Sequence, residues 1–434
     1  MKNLTISERG EQAKRASITL SACSSELRNN ALKAIAETLF EKRSQIFEAN
    51  QKDMDKSIQA GLALPLLKRL KFDAHKLALA IDGINSLIGL PDPLNTTLMA
   101  KELDQSLDLY KVACPIGVIG VIFESRPDAF VQISTLCLKS GNAILLKGGH
   151  EASETNKILF DLISAATQTV GLPQYWIQNL ESREEVTALL KLDQYIDLLI
   201  PRGSNAFVRF IMDHSTIPVM GHAEGICHVY IDATADIDKA LSIAIDSKAQ
   251  YPAACNAAET LLVHQDCAEA FLPLFFEKAK ESAIQLKGDA ATRAIIPVEP
   301  ATDEDWKTEY LDLILSIKIV DSIEAAITHI NTFGSGHTDC IVTENTENAK
   351  IFTTLVDSAG VYVNASTRFA DGYRYGFGAE VGISTSKLHA RGPVGLEGLL
   401  SYKYKLIGQG HIVSDYSEGR KTFKHISLDK NCPL

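Results

Sequence analysis

The eight cysteines of this 434-residue chain form no C-x-x-C pair and stand at no metal-like spacing with histidine. They are Cys23, Cys114, Cys137, Cys227, Cys255, Cys267, Cys340 and Cys432. Such scatter reads as reduced thiols in a cytoplasmic protein, without structural zinc or another required metal. The N-terminus lacks an apolar signal core after its first charges, and no apolar run is long enough to span a bilayer. A basic excess is lacking as well. Lysine and arginine number 43 against 54 acidic residues, a net charge of −11. That balance disfavours a nucleic-acid partner, because phosphate backbones call for a basic face. The dinucleotide fingerprint G-x-G-x-x-G is also absent, which disfavours a standard Rossmann phosphate loop. Neither an internal repeat nor a low-complexity linker is found.

What is present has the make-up of a soluble globular protein, with 46% hydrophobic and 22% charged residues. The length predicts two or three structural units. Between residues 116 and 200, strands at 116–123, 143–147 and 196–200 alternate with helices at 128–140 and 154–167. This alternation predicts a parallel sheet covered by helices, with ligands at the carboxyl ends of its strands. A second alternation runs over 227–364, with strands expected at 229–231, 260–264, 317–320, 338–342 and 360–363. Two α/β units in tandem would place the chemistry in the cleft between them. Residues 24–61 read as helical, with Leu27, Leu32, Ile35, Leu39 and Ile46 on one face. The segments 97–112 and 399–413 alternate as partly charged strands that neither core needs.

Cys255 lies between a helix expected at 237–249 and a strand expected at 259–264. Small residues flank it, so backbone N–H groups can face an oxyanion and the thiolate stays approachable. A free cysteine is otherwise most often a small buried hydrophobe. Here the flanking motif decides. Tyr251-Pro-Ala-Ala-Cys-Asn-Ala257 resembles the nucleophile turn of the aldehyde dehydrogenase superfamily, in the form of its gamma-glutamyl phosphate reductase branch. The resemblance covers almost the whole chain. Residues 31–39 and Glu48-Ala-Asn-Gln-Lys-Asp53 are similar to the N-terminal helices of the branch, and no catalysis is read from them. The run from Val320 through Phe-Gly-Ser-Gly-His337-Thr-Asp-Cys to Ile341 resembles the branch signature, except that Phe333 stands where histidine or tyrosine is usual. So does the glycine-rich stretch from Asn364 to Gly398.

The resemblance implies an aldehyde-dehydrogenase-like α/β fold, with two tandem α/β domains on parallel sheets and a small oligomerisation β-sheet. Residues 1–96 and 114–225 would form an NADP-binding domain, to which 365–395 return. Residues 226–364 would form the catalytic cysteine domain. The segments 97–113 and 396–415 would supply the oligomerisation strands of a dimer or tetramer, leaving 416–434 as a C-terminal tail.

On the cofactor side, Ile200-Pro-Arg-Gly203-Ser204-Asn205 runs from a strand into a helix, and free N–H groups with Ser204 as cap would suit a pyrophosphate. Lys147, at its strand end, resembles the residue that contacts the adenosine ribose. NAD-preferring relatives carry a glutamate three residues later, where this chain has His150. The missing carboxylate leans the reading to NADP(H), with Glu151 next in line as the counter-argument. Glu309 resembles the carboxylate that holds the nicotinamide ribose.

On the catalytic side, the resemblance makes Cys255 the nucleophile and adds Asn256 beside it. Ser125 in Glu124-Ser-Arg-Pro127 takes the oxyanion-donor position, and Arg126 adds a cation suited to an acidic or phosphorylated substrate. An ion pair of Arg126 with Asp128 is the structural alternative. Ser366, Thr367, Arg368 and Arg374 are candidates to hold the substrate. The glutamate that activates water in hydrolytic relatives is replaced in Gly221-His-Ala-Glu-Gly225, where His222 aligns with it and Glu224 is displaced by two. A reductase has no use for that base, since its thioester must meet hydride before water. The implied reaction is NADPH-dependent reduction of L-glutamyl 5-phosphate through a Cys255 thioester, in proline synthesis. Pathway logic then adds a glutamate 5-kinase partner. The alternatives are a coenzyme A-acylating aldehyde dehydrogenase, which would also lack the base, and a non-catalytic protein that kept the fold.

Overall fold

The computed structural model describes residues 4–434 apart from Ser125, residues 222–223 and residues 378–379, and leaves aside the side chains of Pro65 and Arg183. By contacts the chain divides into two units. One comprises Met1–Met220, Phe377–Gly382 and Val394–Leu434, and the other Gly221–Gly376 and Ile383–Pro393.

In the first unit the apolar run folds as the strand Val118–Phe123, buried at every position. It begins later than expected because Gly117 turns the chain at φ +134°, where a Cβ would lie 2.2 Å from Asp197 Oδ2. That carboxylate instead accepts the Val118 N–H and pairs with Lys14 at 2.7 Å. Val118–Phe123 sits between Ala143–Lys147 and Leu198–Arg202, and Ile177–Asn179 completes a four-stranded parallel sheet. The helices Pro127–Lys139 and Ser153–Thr169 follow two of its strands. The helix expected over 24–61 is two helices, Ser25–Glu41 and Arg43–Gln59, broken at Lys42.

The Glu48 to Asp53 segment has a structural purpose. Asn50 donates to the Leu70 carbonyl and accepts the Phe72 N–H, which pins the following turn. Asp53, buried, accepts the Glu154 and Thr155 N–H groups and the Thr155 hydroxyl, so it caps a helix 102 residues away in sequence.

A separate antiparallel sheet orders Leu400–Ile407, Leu107–Pro115, Thr97–Asp104 and Ile426–Ser427. The last strand belongs to the C-terminal segment, which pairs Lys101 with Ser427 and Glu102 with Ile426. Cys432 packs with the small core of Ala100, Tyr110 and Val112.

The second unit carries a seven-stranded sheet, every pairing of which is parallel. Its order is Glu299–Pro300, Gln285–Gly288, Ile314–Val320, Ala258–His264, Cys227–Ile231, Thr338–Val342 and Gly360–Val363. Side chains alternate between its faces. Val229, Ile231, Leu261 and Val263 pack with the helices Ile237–Ala249 and Gln265–Glu281, while Tyr230, Leu262 and Ile341 face Ile323–Phe333. Burial on both faces explains why these strands read as continuous apolar runs.

Among the described residues no helix is long and apolar enough to cross a membrane, no group of three or more histidine, cysteine, aspartate or glutamate residues could hold a metal ion, and no disulfide joins any cysteines.

Candidate active site

Cys255 sits in the turn between Ile237–Ala249 and Ala258–His264, half-buried. The turn is held from three sides. Gly225 packs so closely that a Cβ on it would lie 2.1 Å from the Cys255 carbonyl oxygen, so glycine there is a steric requirement. Cys227 Sγ donates to that same oxygen at 3.3 Å. The loop after Gly360–Val363 closes the third side. Thr367 Oγ1 donates to the Asn256 carbonyl at 2.7 Å, and Asn256 Nδ2 donates to the Ala370 carbonyl at 2.8 Å. Ser247 Oγ donates to Ser366 Oγ and accepts the Thr367 N–H.

Asn256, Ser366 and Thr367 are buried. The structure thus brings three residues of the expected site together, as mutual fastenings between the nucleophile turn and the glycine-rich loop. Asn256 Oδ1 is left buried without a partner. Arg368 is 8% exposed and donates through Nε to Gln250 Oε1. Burial and then the charge of Arg374 lower its pKa, while Cys255 acts in the opposite direction, which puts the guanidinium within electrostatic reach of the thiol. Arg374 is exposed and donates to the Arg368 carbonyl.

One neighbour of the thiol escaped the sequence reading. His337 Nε2 lies 3.2 Å from Cys255 Sγ, and His337 Nδ1 lies 2.8 Å from Thr338 Oγ1. The imidazole is 1% exposed. Its signal was present in Gly334-Ser-Gly-His337-Thr, a motif that marked the branch without marking a role.

Behind the turn, Lys248 and Glu259 form an ion pair at 2.6 Å with both side chains fully buried. Loss of water pushes Glu259 up to about 8 against the pull of Lys248, and lowers Lys248. Glu259 Oε1 has no hydrogen-bond partner. The sequence reading had assigned neither residue. Glu309 is half-buried, and its charge adds to the upward shift of Glu259.

In the first unit, Lys147 and the turn after it open onto a cavity of about 310 Å³. Lys147, Gly148, Gly149, His150, Asn156 and Lys157 line it, along with Glu154 and Glu181. Lys147 Nζ donates to the Gly148 carbonyl at 2.6 Å. A Cβ on Gly148 would fall 2.0 Å from Asn156 Nδ2, so the backbone approaches that side chain as only glycine can. Asn156 keeps a buried Oδ1 without a partner. Glu154 is neutralised by Lys56 at 2.9 Å, and Glu151 folds its carboxylate back on Gly149 outside the lining. Lys147 and Lys157, the close glycine backbone and an orphaned acceptor fit the adenosine ribose and phosphate of a dinucleotide.

At the Gly203–Ser204 turn the cap expected from Ser204 is not made. Ser204 is the N-cap residue of Asn205–His214, but its side chain makes no capping bond. Its backbone N–H donates to Glu124 Oε2 at 3.2 Å, and a Cβ on Gly203 would meet the same carboxylate at 2.8 Å. A carboxylate of the chain already occupies this helix start, for the reason that would draw a phosphate there. Arg126 precedes the helix Pro127–Lys139 and is half-buried, while Asp128 Oδ1 is buried without a partner, so that oxygen makes no pair with Arg126. Ser125 and His222, the expected oxyanion donor and the residue aligned with the absent base, lie outside the described residues.

Comparison with known proteins identifies the family. The model of the aldehyde dehydrogenase family matches residues 5–296. A gamma-glutamyl phosphate reductase of Acetivibrio thermocellus is 61% identical over 431 residues, covering 99% of this chain and all of the relative. One from Natronomonas pharaonis is 52% identical over 98% of both chains. The crystal structure of gamma-glutamyl phosphate reductase from Thermotoga maritima superposes with a TM-score of 0.92 at 41% identity, over 94% of this chain and 99% of that one.

Proposed function

The chain belongs to the aldehyde dehydrogenase family, in its gamma-glutamyl phosphate reductase branch, and on that premise we propose that it reduces L-glutamyl 5-phosphate to L-glutamate 5-semialdehyde and phosphate in proline synthesis. The observation that carries the reading is the fastened Cys255 turn, combined with the loss of the water-activating glutamate from the aligned segment. Cys255, as thiolate, attacks the acyl phosphate carbonyl and phosphate departs, leaving a thioester on the sulfur. A bound NADPH supplies the hydride that reduces this thioester. Collapse of the resulting tetrahedral adduct breaks the C–S bond, releases the aldehyde and returns the thiolate.

Lys147 and His150, with the close backbone of Gly148, hold the adenosine ribose and its 2′-phosphate, and Glu309 takes the nicotinamide ribose. Arg126, Arg368 and Arg374 attract the anionic substrate. Ser125 donates to the oxyanion together with the Cys255 N–H. Asn256, Ser366 and Thr367 keep the nucleophile turn in place. The antiparallel sheet, which exposes Leu98, Tyr402, Tyr404, Leu406 and Ile426, is the homo-oligomer contact. A glutamate 5-kinase in the same compartment, the cytoplasm, supplies the labile acyl phosphate.

Running the reaction backwards tests the reading. Purified protein with glutamate 5-semialdehyde and NADP should form NADPH only when phosphate is added, because phosphate must release the acyl group from sulfur. Equal rates without phosphate would mean hydrolysis and would overturn it. Turnover that needs coenzyme A instead would make the enzyme an acylating dehydrogenase.

A further inference from the structure

We infer that His337 is the proton acceptor and donor for the Cys255 thiol, a catalytic role that rests on the function proposed above. Three observations carry it. The imidazole Nε2 is 3.2 Å from the reacting sulfur, within the range of a hydrogen bond to sulfur. The other ring nitrogen is held at 2.8 Å by Thr338 Oγ1, which orients the ring and accepts from Nδ1–H in the tautomer that leaves Nε2 free to take a proton. Thr338 begins the strand Thr338–Val342, paired on both sides, so the orienter is part of a rigid sheet.

The surroundings explain why a histidine is suited here. At 1% exposure a lone imidazolium would be costly, and a lone half-buried thiolate would be too. Proton transfer from Sγ to Nε2 creates both charges in contact, and each lowers the cost of the other.

Nε2 takes the thiol proton as sulfur bonds to the acyl carbon. The C–O bond to phosphate breaks, and its electron pair leaves with the phosphate oxygen, which receives that proton from the imidazolium. The product is inorganic phosphate and the thioester, with His337 neutral again. After the thioester is reduced by hydride, the C–S bond breaks and its electron pair returns to sulfur. His337 passes one solvent proton to the thiolate, which is the single proton that the overall reduction consumes. In this cycle the histidine serves both half-reactions, and the hydrolytic base that relatives need has no task left.

The experiment is iodoacetamide alkylation of the apo protein against pH, with the Cys255 peptide followed by mass spectrometry and Cys255→Ser identifying it. Cofactor affinity and the thermal midpoint are measured alongside. His337→Gln keeps a polar group near the sulfur but cannot accept a proton. The alkylation midpoint of Cys255 should rise by about one pH unit or more in this variant. Its kcat should fall by roughly 10²- to 10⁴-fold with cofactor affinity unchanged. His337→Ala provides a second reading that does not depend on the glutamine, since added imidazole should restore alkylation and turnover in a saturable way. An unchanged alkylation midpoint in folded His337→Gln, or wild-type reactivity in His337→Ala without imidazole, would overturn the inference. Alkylation requires no substrate, so a shifted midpoint in a protein that fails the phosphate test would separate the thiol–imidazole pair from the proposed reaction.

Discussion

The two parallel sheets use opposite ends. In the first unit the candidate cofactor residues follow their strands, with Gly148 after Ala143–Lys147 and Gly203 after Leu198–Arg202. In the second unit the candidate catalytic residues precede their strands. Gly225 comes before Cys227–Ile231, Cys255 before Ala258–His264, and His337 directly before Thr338–Val342. Carboxyl ends of parallel strands lead into helix starts, whose N–H groups and positive dipole favour anions. A thiol nucleophile has a different need, namely a fixed acid–base partner and tight closure against water. The general rule for ligands of α/β sheets therefore locates the cofactor side and says nothing of the nucleophile, because function resides in a site and not in the fold that bears it.

The two edges also differ in how they are finished. The cysteine turn is fastened by hydrogen bonds from Thr367, Asn256 and Cys227. At the other edge, Asp53 and Glu124 already take N–H groups at the two helix starts, and charged side chains line the cavity beside them.

That contrast can be tested by disabling one edge and reading both. The largest effect is expected from Cys255→Ser, which should lower turnover by roughly 10³-fold or more while NADPH affinity and the thermal midpoint stay as in wild type. Loss of cofactor affinity in that variant would mean the edges are not separate. Next comes Lys248→Met, which leaves the buried Glu259 as a neutral acid without its partner and should destabilise the protein by about 1–3 kcal/mol in denaturant titration. Replacing both partners with apolar residues should recover most of that loss.

Lys147→Met is the converse of the serine variant. NADPH should bind about tenfold more weakly by fluorescence titration, with the alkylation rate of Cys255 unchanged. A smaller effect concerns pH. His329, buried against Trp306 and Phe333, is lowered to about 3, first by burial and then by the charges of His228 and Lys318. The unfolded chain takes up this proton below pH 6.5 and the folded one does not. Stability should therefore fall as pH drops from about 6.5 towards 3, by at most about 1.4 kcal/mol per pH unit, and His329→Phe should flatten that slope in urea titrations. The smallest change is expected from His150→Gln, a shift of roughly threefold towards NAD in the ratio of kcat/KM for the two cofactors.

Much of the fold was legible beforehand. The helix expected at 237–249 and the strands at 338–342 and 360–363 form over those residues. Strands buried on both faces write their position in continuous apolar runs, and amphipathic helices in their period. Boundaries failed where a backbone event overrode the pattern, as at Gly117 and Lys42. At the candidate site, motif alone proposed Cys255 and Lys147. The roles of Ser366 and Thr367 were not legible, since a hydroxyl in a glycine-rich loop reads alike whether it meets a ligand or fastens the loop.

The sequence by itself determined the α/β alternation, the absence of a dinucleotide fingerprint, the candidate nucleophile and the family. These depend on local composition and on motifs read along the chain. Only the tertiary structure decided that His337 meets Cys255 from 82 residues away, that Asp53 caps a helix 102 residues on, and that Asn256 is tied to Ala370 across 114. Such contacts follow from the register of a sheet whose strands are not neighbours in sequence, and hydrophobic period carries no record of which polar side chains that register brings face to face.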